Sequence, residues 1–333
     1  MCSRAHFTYL WNESRFECFK GTRSCYLVPA ITGIGMSEKR GIISFLCMTL
    51  VVLIWSGSFI FIRLGLRELT PSVLALARFA IASPPLVMYT LLVRKRRMQT
   101  GFKWRTHSLL FLALGLTGGT FLYVLQFYSL RFVTATVGSI LINLNVVFAT
   151  ILSGILLKEH MSAKKLVGVS LAFMGVIVLA ANGGSFTDSA PVQSTGALLM
   201  VGAALCWALY SILTKNALHL FSASTITSAT FVIGTVCLLP FAMVELSTAP
   251  ITSVSLSTWI SILYLAIPSS TIAYLLWNHL LKEVEVTKLA VSLYAIPIPT
   301  AVFSYLLLGE AITYFMVVGG ILVVLGIILT RSC

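Results

Sequence analysis

The chemistry available to this chain lies in polar and aromatic side chains set within long apolar runs. Arg78 is the one charged residue placed well inside such a run, roughly seven residues or about 10 Å from its nearer end at a helical rise. A guanidinium there either attracts the carboxylate of a solute or bonds backbone carbonyls and a neighbouring helix. In both cases it needs a partner, because an unpaired cation in hydrocarbon costs several kcal/mol. Trp55, Ser58, Tyr123, Gln126, Asn143 and Asn145 accompany it in the first half of the chain, and Trp207, Tyr210, Tyr274, Trp277, Asn278 and Tyr294 in the second. Aromatic faces combined with amide donors and acceptors suit a small amphipathic solute such as an amino acid. Each Trp or Tyr taken singly is also at home as a packing residue or interfacial anchor.

Glu159 and Glu310 close two corresponding apolar runs. Such a carboxylate serves as a gate contact or takes up a coupling proton, or else it caps free amides at a helix N-terminus, where the macrodipole favours an anion. Catalytic constellations are missing. There is no HExxH, no glycine-rich phosphate loop and no nucleophile accompanied by a base and an orienting acid; His107, His160 and His219 stand near connections and His279 near the end of a run. The seven cysteines show no metal-site or disulfide spacing. The expectation is a chain with no catalytic residue, no metal and no cofactor.

These side chains need elements to hold them, and composition names the class. With 58% hydrophobic residues, 10% charged and a mean hydropathy of +0.97 over 333 residues, there is too little polar surface to cover a soluble globule. Apolar runs of roughly 18 to 25 residues recur along the chain, long enough for helices to cross a bilayer and too uniform for alternating barrel strands. We place ten spans at about 42–62, 71–93, 108–129, 134–157, 164–181, 196–215, 224–244, 258–281, 286–308 and 312–330. No acid is then expected at the midplane, which argues against a relay of buried carboxylates. Gly118-Gly119, Pro268, Pro297 and Pro299 are candidates for bends or breaks beside a central cavity.

The formal net charge of +13 suggests nucleic acid in a soluble protein, but here the basic residues gather in short connections such as Arg94-Lys95-Arg96-Arg97. This is the pattern of membrane topology, and no nucleic-acid partner is expected. A cytoplasmic N-terminus puts most Lys and Arg inside and leaves Arg63, Arg67 and Arg131 outside. Both termini are then cytoplasmic and the polar segment 182–195 is an external linker. Residues 1–41 form a tail; Met36-Ser-Glu-Lys-Arg resembles a natural start, so the leader before it is expected to be an upstream-start artefact or a disordered cytoplasmic stretch.

Residues 117–179 are written twice. A shift of 151 residues sets Thr120 on Thr271, Tyr123 on Tyr274, Thr136 on Thr287, Ser153 on Ser304, Glu159 on Glu310, Gly168 on Gly319 and Gly175 on Gly326 without a gap. A shift of 152 extends the match to Trp55 with Trp207, Arg63 with Lys215 and Phe79 with Phe231, and sets Thr230 opposite Arg78. Five spans per copy is odd, so the second copy enters the membrane from the opposite side. Inverted repeats of this kind occur in many transporters, with the substrate near the midplane between the halves.

Ten spans in two repeats, a Trp in the first span of each, Pro71-x-x-Leu-Ala-Leu-Ala-Arg78-Phe79 opening the second and Leu-Leu-x-Glu closing the fourth resemble the drug/metabolite transporter superfamily, specifically its EamA-type members. The resemblance covers about residues 42–330. That family usually carries a Pro thirteen residues before each repeat's Glu; Pro297 matches, while Val146 stands at the first position.

The reading is an all-α membrane protein of ten transmembrane helices in two inverted five-helix repeats, 42–181 and 196–330. As a secondary transporter in the plasma or inner membrane, it moves a small metabolite or amino acid outward by alternating access. A facilitative channel and a membrane-embedded lipid or group-transfer enzyme are the alternatives. Trp55, Ser58, Arg78, Tyr123, Gln126, Asn143, Trp207, Tyr210, Tyr274, Trp277 and Tyr294 are the expected substrate-binding residues, with Glu159, Glu310 and Pro297 as gate or structural positions. The partners are the solute and the lipid bilayer. The glycine faces of spans five and ten serve close packing or a homodimer.

Overall fold

The structure is a computed structural model that describes residues 16–17, 26–27, 31–96, 104–157, 162–182, 190–249, 253–284, 286–310 and 314–331. It divides into two units, Met1–Cys47 and Met48–Cys333. The described part of the first comprises a two-residue antiparallel pair, β1 (Phe16–Glu17) with β2 (Tyr26–Leu27), and the start of α1 (Ile31–Gly65). Most of the leader preceding Met36 lies outside the described residues.

Among its described residues the second unit consists of helices and the turns between them. After α1 come α2 (Pro71–Arg96), α3 (Trp104–Gly115), α4 (Leu122–Phe132), α5 (Ala135–Leu141), α6 (Leu144–Leu152) and α7 (Ala163–Asn182). The second half supplies α8 (Ala190–Ala217), α9 (Ala223–Thr248), α10 (Leu256–Tyr264), α11 (Ala273–Glu283), α12 (Val286–Ser292), α13 (Pro297–Leu308) and α14 (Tyr314–Arg331). Seven stretches among the described residues are long and apolar enough to cross a membrane; they begin at Ile43, Pro71, His107, Ala135, Thr195, Ala223 and Leu256. The remaining three expected spans fall on α7, on α12 with α13, and on α14. Leu109, Ile155, Met243, Val244 and Leu306 are more than half exposed, as side chains facing lipid should be.

The two halves repeat not only helices but departures from them. The α3–α4 stretch is interrupted by a π-helical turn, Leu116–Phe121, and the α10–α11 stretch by another, Leu265–Ile272. Each wide turn frees carbonyls that a threonine satisfies. Thr120 donates its hydroxyl to Gly115 O at 3.2 Å, and its repeat mate Thr271 donates to Ala266 O at 3.1 Å. The next stretch is broken at Ile142–Asn143 in one half and at Leu293–Ile296 in the other. Pro297 opens α13 after its break, but Val146 lies inside α6, so the first break forms without proline.

Helix ends are tied in the same repeated manner. Arg63, at the end of α1, donates to Leu130 O at 2.9 Å and Val133 O at 3.4 Å, at the end of α4. Its mate Lys215, at the end of α8, donates to Leu281 O and Val284 O, both at 2.7 Å, at the end of α11. A cation on the last carbonyls of a helix satisfies acceptors that have no partner within it and favours the negative end of the macrodipole. The helices α7 and α14 pack along each other more extensively than any other pair, and Gly168, Gly175, Gly319 and Gly326 on them are buried within the single chain.

Candidate functional site

A cavity of about 480 Å³, open solvent at its mouth included, is lined from both halves: by α1, α2, α4 and the α5–α6 turn, and by α8, the second π-helical turn, α11 and the α12–α13 break. Trp55 and Trp207 form aromatic wall, while Leu122, Ile142, Leu293 and Ile296 add aliphatic surface.

Arg78 is only 2% exposed. It donates from Nε to Ser270 Oγ at 2.5 Å, and from Nη2 to Ser269 Oγ at 3.1 Å and the Tyr123 hydroxyl at 3.2 Å. Its guanidinium also lies 4.3 Å from the centre of the Tyr123 ring, within cation–π range. The hydroxyl protons are ordered by what can only accept. Tyr274 donates to Gly118 O at 3.1 Å, which leaves its oxygen to receive Tyr123 at 2.6 Å, which in turn receives Arg78. The donor chain runs Arg78, Tyr123, Tyr274, Gly118 and crosses between the halves twice. No carboxylate pairs with Arg78 among the described residues, so the charge is hydrogen-bonded but not neutralised.

Three cavity-region residues touch their own repeat mates. Trp55 and Trp207 meet edge to face with centroids 5.0 Å apart, Phe79 and Phe231 lie 4.7 Å apart, and the Tyr123 and Tyr274 hydroxyls bond directly. A residue can touch its own copy only near a local two-fold axis. Glycine lets the first π-helical turn reach the other half as well: a Cβ on Gly119 would sit 2.7 Å from Thr230 O, and one on Gly234 2.8 Å from Gly119 Cα.

The EamA-like transporter family matches this chain over residues 42–181 and again over 194–332. The chain belongs to the EamA-like transporter family. This EamA-like transporter is 37% identical over 288 residues to an uncharacterized transporter of Archaeoglobus fulgidus, covering 86% of this chain and 96% of that one. It is 25% identical to a probable amino-acid metabolite efflux pump of Salmonella typhimurium (88% of this chain, 94% of the relative). It is 29% identical to a probable terminal-alkyne amino-acid exporter of Streptantibioticus cattleyicolor (85% and 91%). In fold it is similar to a protein of known crystal structure, with a TM-score of 0.67 at 18% identity over 87% of this chain and 96% of the other. It is thus a multi-pass membrane transporter rather than an enzyme.

Of the residues expected to bind solute, Trp55, Ser58, Arg78, Tyr123, Gln126, Asn143, Trp207 and Tyr274 line the cavity of this transporter. Tyr210, Trp277 and Tyr294 do not; they are fully buried behind it. Tyr210 exchanges hydrogen bonds with Asn278, and Trp277 packs on Trp55 and Trp207 at 5.5 and 5.3 Å. The structure adds Ser269, whose hydroxyl and carbonyl both serve the site, the latter accepting Trp55 Nε1 at 3.1 Å. Its signal in the sequence was its register, since Ser269-Ser270 stand where the first repeat has Gly118-Gly119.

Glu310 is bound to helix α5 of the other half, taking the Ala135 amide at 3.2 Å and the Thr136 hydroxyl at 2.6 Å. Glu159 lies outside the described residues. Sequence reading missed Glu245, placed just beyond the span ending near 244. It lies inside α9, is 9% exposed, and accepts the Ser72 amide at 2.9 Å, the Ser72 hydroxyl at 2.7 Å and the Tyr128 hydroxyl. Arg78 is therefore not the only buried charge in a helix.

Proposed function

We propose that this protein is a ten-helix inverted-repeat secondary transporter that exports a small metabolite or amino acid by alternating access. The observation that carries the reading is the contact of Trp55, Phe79 and Tyr123 with their own copies beside one cavity. In an inverted repeat the two-fold axis lies in the membrane plane, so a cavity beside that axis sits near mid-depth and can be offered to either side by rocking one half against the other.

The contacts between helix ends support the grouping of those ends on two sides; the Lys and Arg distribution supports cytoplasmic termini, in a plasma or inner membrane. Arg63 with Leu130, Glu68 with Ser255, Glu245 with Ser72 and Glu310 with Thr136 each join ends assigned to the outside, and Lys215 with Leu281 joins ends assigned to the inside. The burial of the four glycines of α7 and α14 within one chain favours their packing role over a dimer face. The outward direction and the amino-acid class take support from the relatives named as an efflux pump and an exporter of such solutes.

The test is counterflow exchange of a labelled metabolite panel in proteoliposomes. Tyr123→Ala, Trp207→Ala and Tyr274→Ala should each reduce flux more than expression. Normal flux in all three, or flux without exchange between unlabelled and labelled solute, overturns the reading.

A further inference from the structure

Two residues of the cavity lining carry a buried amide oxygen that has no donor among the described residues. Asn143 gives its Nδ2 to Ser139 O at 3.1 Å and Asn145 gives its Nδ2 to Ile142 O at 2.6 Å. A backbone carbonyl only accepts, so the end of each amide turned to it is the NH₂ and the remaining end is the carbonyl oxygen. Neither Oδ1 has a hydrogen-bond donor among the described residues, although Asn143 is 0% and Asn145 2% exposed. Both residues line the cavity. A buried acceptor left in this state is a cost that a bound donor removes.

Arg78 presents the opposite deficit in the same lining. Its Nε and Nη2 are engaged, its Nη1 has no partner among the described residues, and every group that it does meet is neutral. One part of the cavity therefore lacks an anion and another lacks a donor. A carboxylic acid supplies only the first and an amine only the second. A zwitterion supplies both, its ammonium offering three N–H groups to the two orphan oxygens. The Trp55, Trp207 and Tyr274 faces are left for an apolar remainder. The repeat mates of Asn143 and Asn145 are Tyr294 and Ile296, so the acceptor pair exists once and gives the site a single polarity.

We propose that Asn143 and Asn145 are the ammonium-recognising residues of a zwitterion site whose carboxylate end is Arg78. The assignment rests on the cavity being the solute site. It distinguishes two ends of one ligand rather than a general affinity for polar metabolites.

The test uses the full chain in proteoliposomes. L-leucine and L-phenylalanine, each beside its decarboxylated amine and its deaminated acid, compete for counterflow of whichever labelled metabolite the vesicles exchange. Each amino acid should compete at least about tenfold more strongly than either of its analogues. Asn143→Leu with Asn145→Leu should weaken amino-acid competition about tenfold and leave that of the acid unchanged, closing the gap between them. Asn143→Asp, a smaller change, should instead strengthen competition by the amine. Equal competition by acid and amino acid in the wild type overturns the proposal, as does undiminished discrimination in a variant that still exchanges. Exchange that no amino acid competes overturns it while the transport reading stands; no exchange of any metabolite overturns both.

Discussion

The hydroxyl of Tyr123 lies 2.6 Å from that of Tyr274, its own copy 151 residues later in the chain. The contact joins the halves at the point where their symmetry demands that they meet, and it forms the middle link of the donor chain from Arg78 to Gly118 O. Tyr274→Phe leaves Gly118 O without its donor and Tyr123 without its acceptor. Thermal unfolding in detergent should show a loss of about 1–3 kcal/mol. Tyr123→Phe and the double variant complete a cycle, and additive losses would mean that the hydroxyls are not coupled.

Arg78→Lys keeps the charge and loses the fork. Nε and Nη2 of arginine reach Ser270, Ser269 and Tyr123 from one rigid plane, a geometry that a single ammonium cannot reproduce. We expect flux to fall by about 10- to 100-fold, chiefly as a raised KM. A wild-type rate would remove Arg78 from the site.

The close approach of Gly119 to Gly234 leaves no room for a methyl group. Gly119→Ala would set its Cβ 2.7 Å from Thr230 O, a backbone atom that cannot rotate away, and should cost about 1–3 kcal/mol. Gly320→Ala is the control, since its new methyl meets nothing nearer than 3.8 Å. Equal melting temperatures for the two variants would contradict the packing.

Glu68, Glu245 and Glu310 each bind the N-terminal end of a helix in the opposite half, and on the proposed topology all three contacts lie outside. Removing one cap, as in Glu310→Ala, should shift the population toward the outward-open form by about 1–2 kcal/mol, read as faster labelling of a cysteine placed in the cavity from the external side. Unchanged external labelling would leave Glu310 as a helix cap with no gating role.

The Ser255 amide, with further hydrogen bonds from Ser255 and Thr258, holds the Glu68 carboxyl below its ordinary value. A carboxylate with a depressed folded-state pKa contributes stability above its unfolded pKa and loses it as pH falls through the folded one. The external latch should therefore loosen in acid, and Glu68→Gln should flatten that part of the external labelling profile. Identical profiles below the normal carboxylate range would dismiss the contribution.

Much of this was legible in the sequence, because a bilayer leaves few options for an apolar chain and a duplication marks its own register. The pairing of Thr120 with Thr271 was visible as text; that both hydroxyls reach five residues back to mend a π-helical turn was not, since local composition does not disclose a wide turn. Glu245 was missed because hydropathy ends a span at its first acid, whereas Ser72, Val73 and Tyr128 supply enough donors to carry that acid inside the helix end. Tyr210, Trp277 and Tyr294 have the composition of a binding wall, and only three-dimensional packing turns them away from the cavity. Pro297 marked a break that Val146 did not, although both halves are broken at the same register.

A perfectly duplicated inverted repeat would have inward- and outward-facing forms that its two-fold rotation interchanges, equal in energy and equally populated. This chain breaks the degeneracy at one junction. Arg78 docks on Ser269 and Ser270, while at the equivalent place Thr230 and Gly234 close against Gly119 with backbone against backbone. One junction is polar and holds a charge; the other sets backbone against backbone, with the Tyr274 hydroxyl donated to Gly118 O beside it. On the proposed alternating-access reading the two end states are thereby unequal, and the protein acquires a preferred resting side that an exact duplication would not give it.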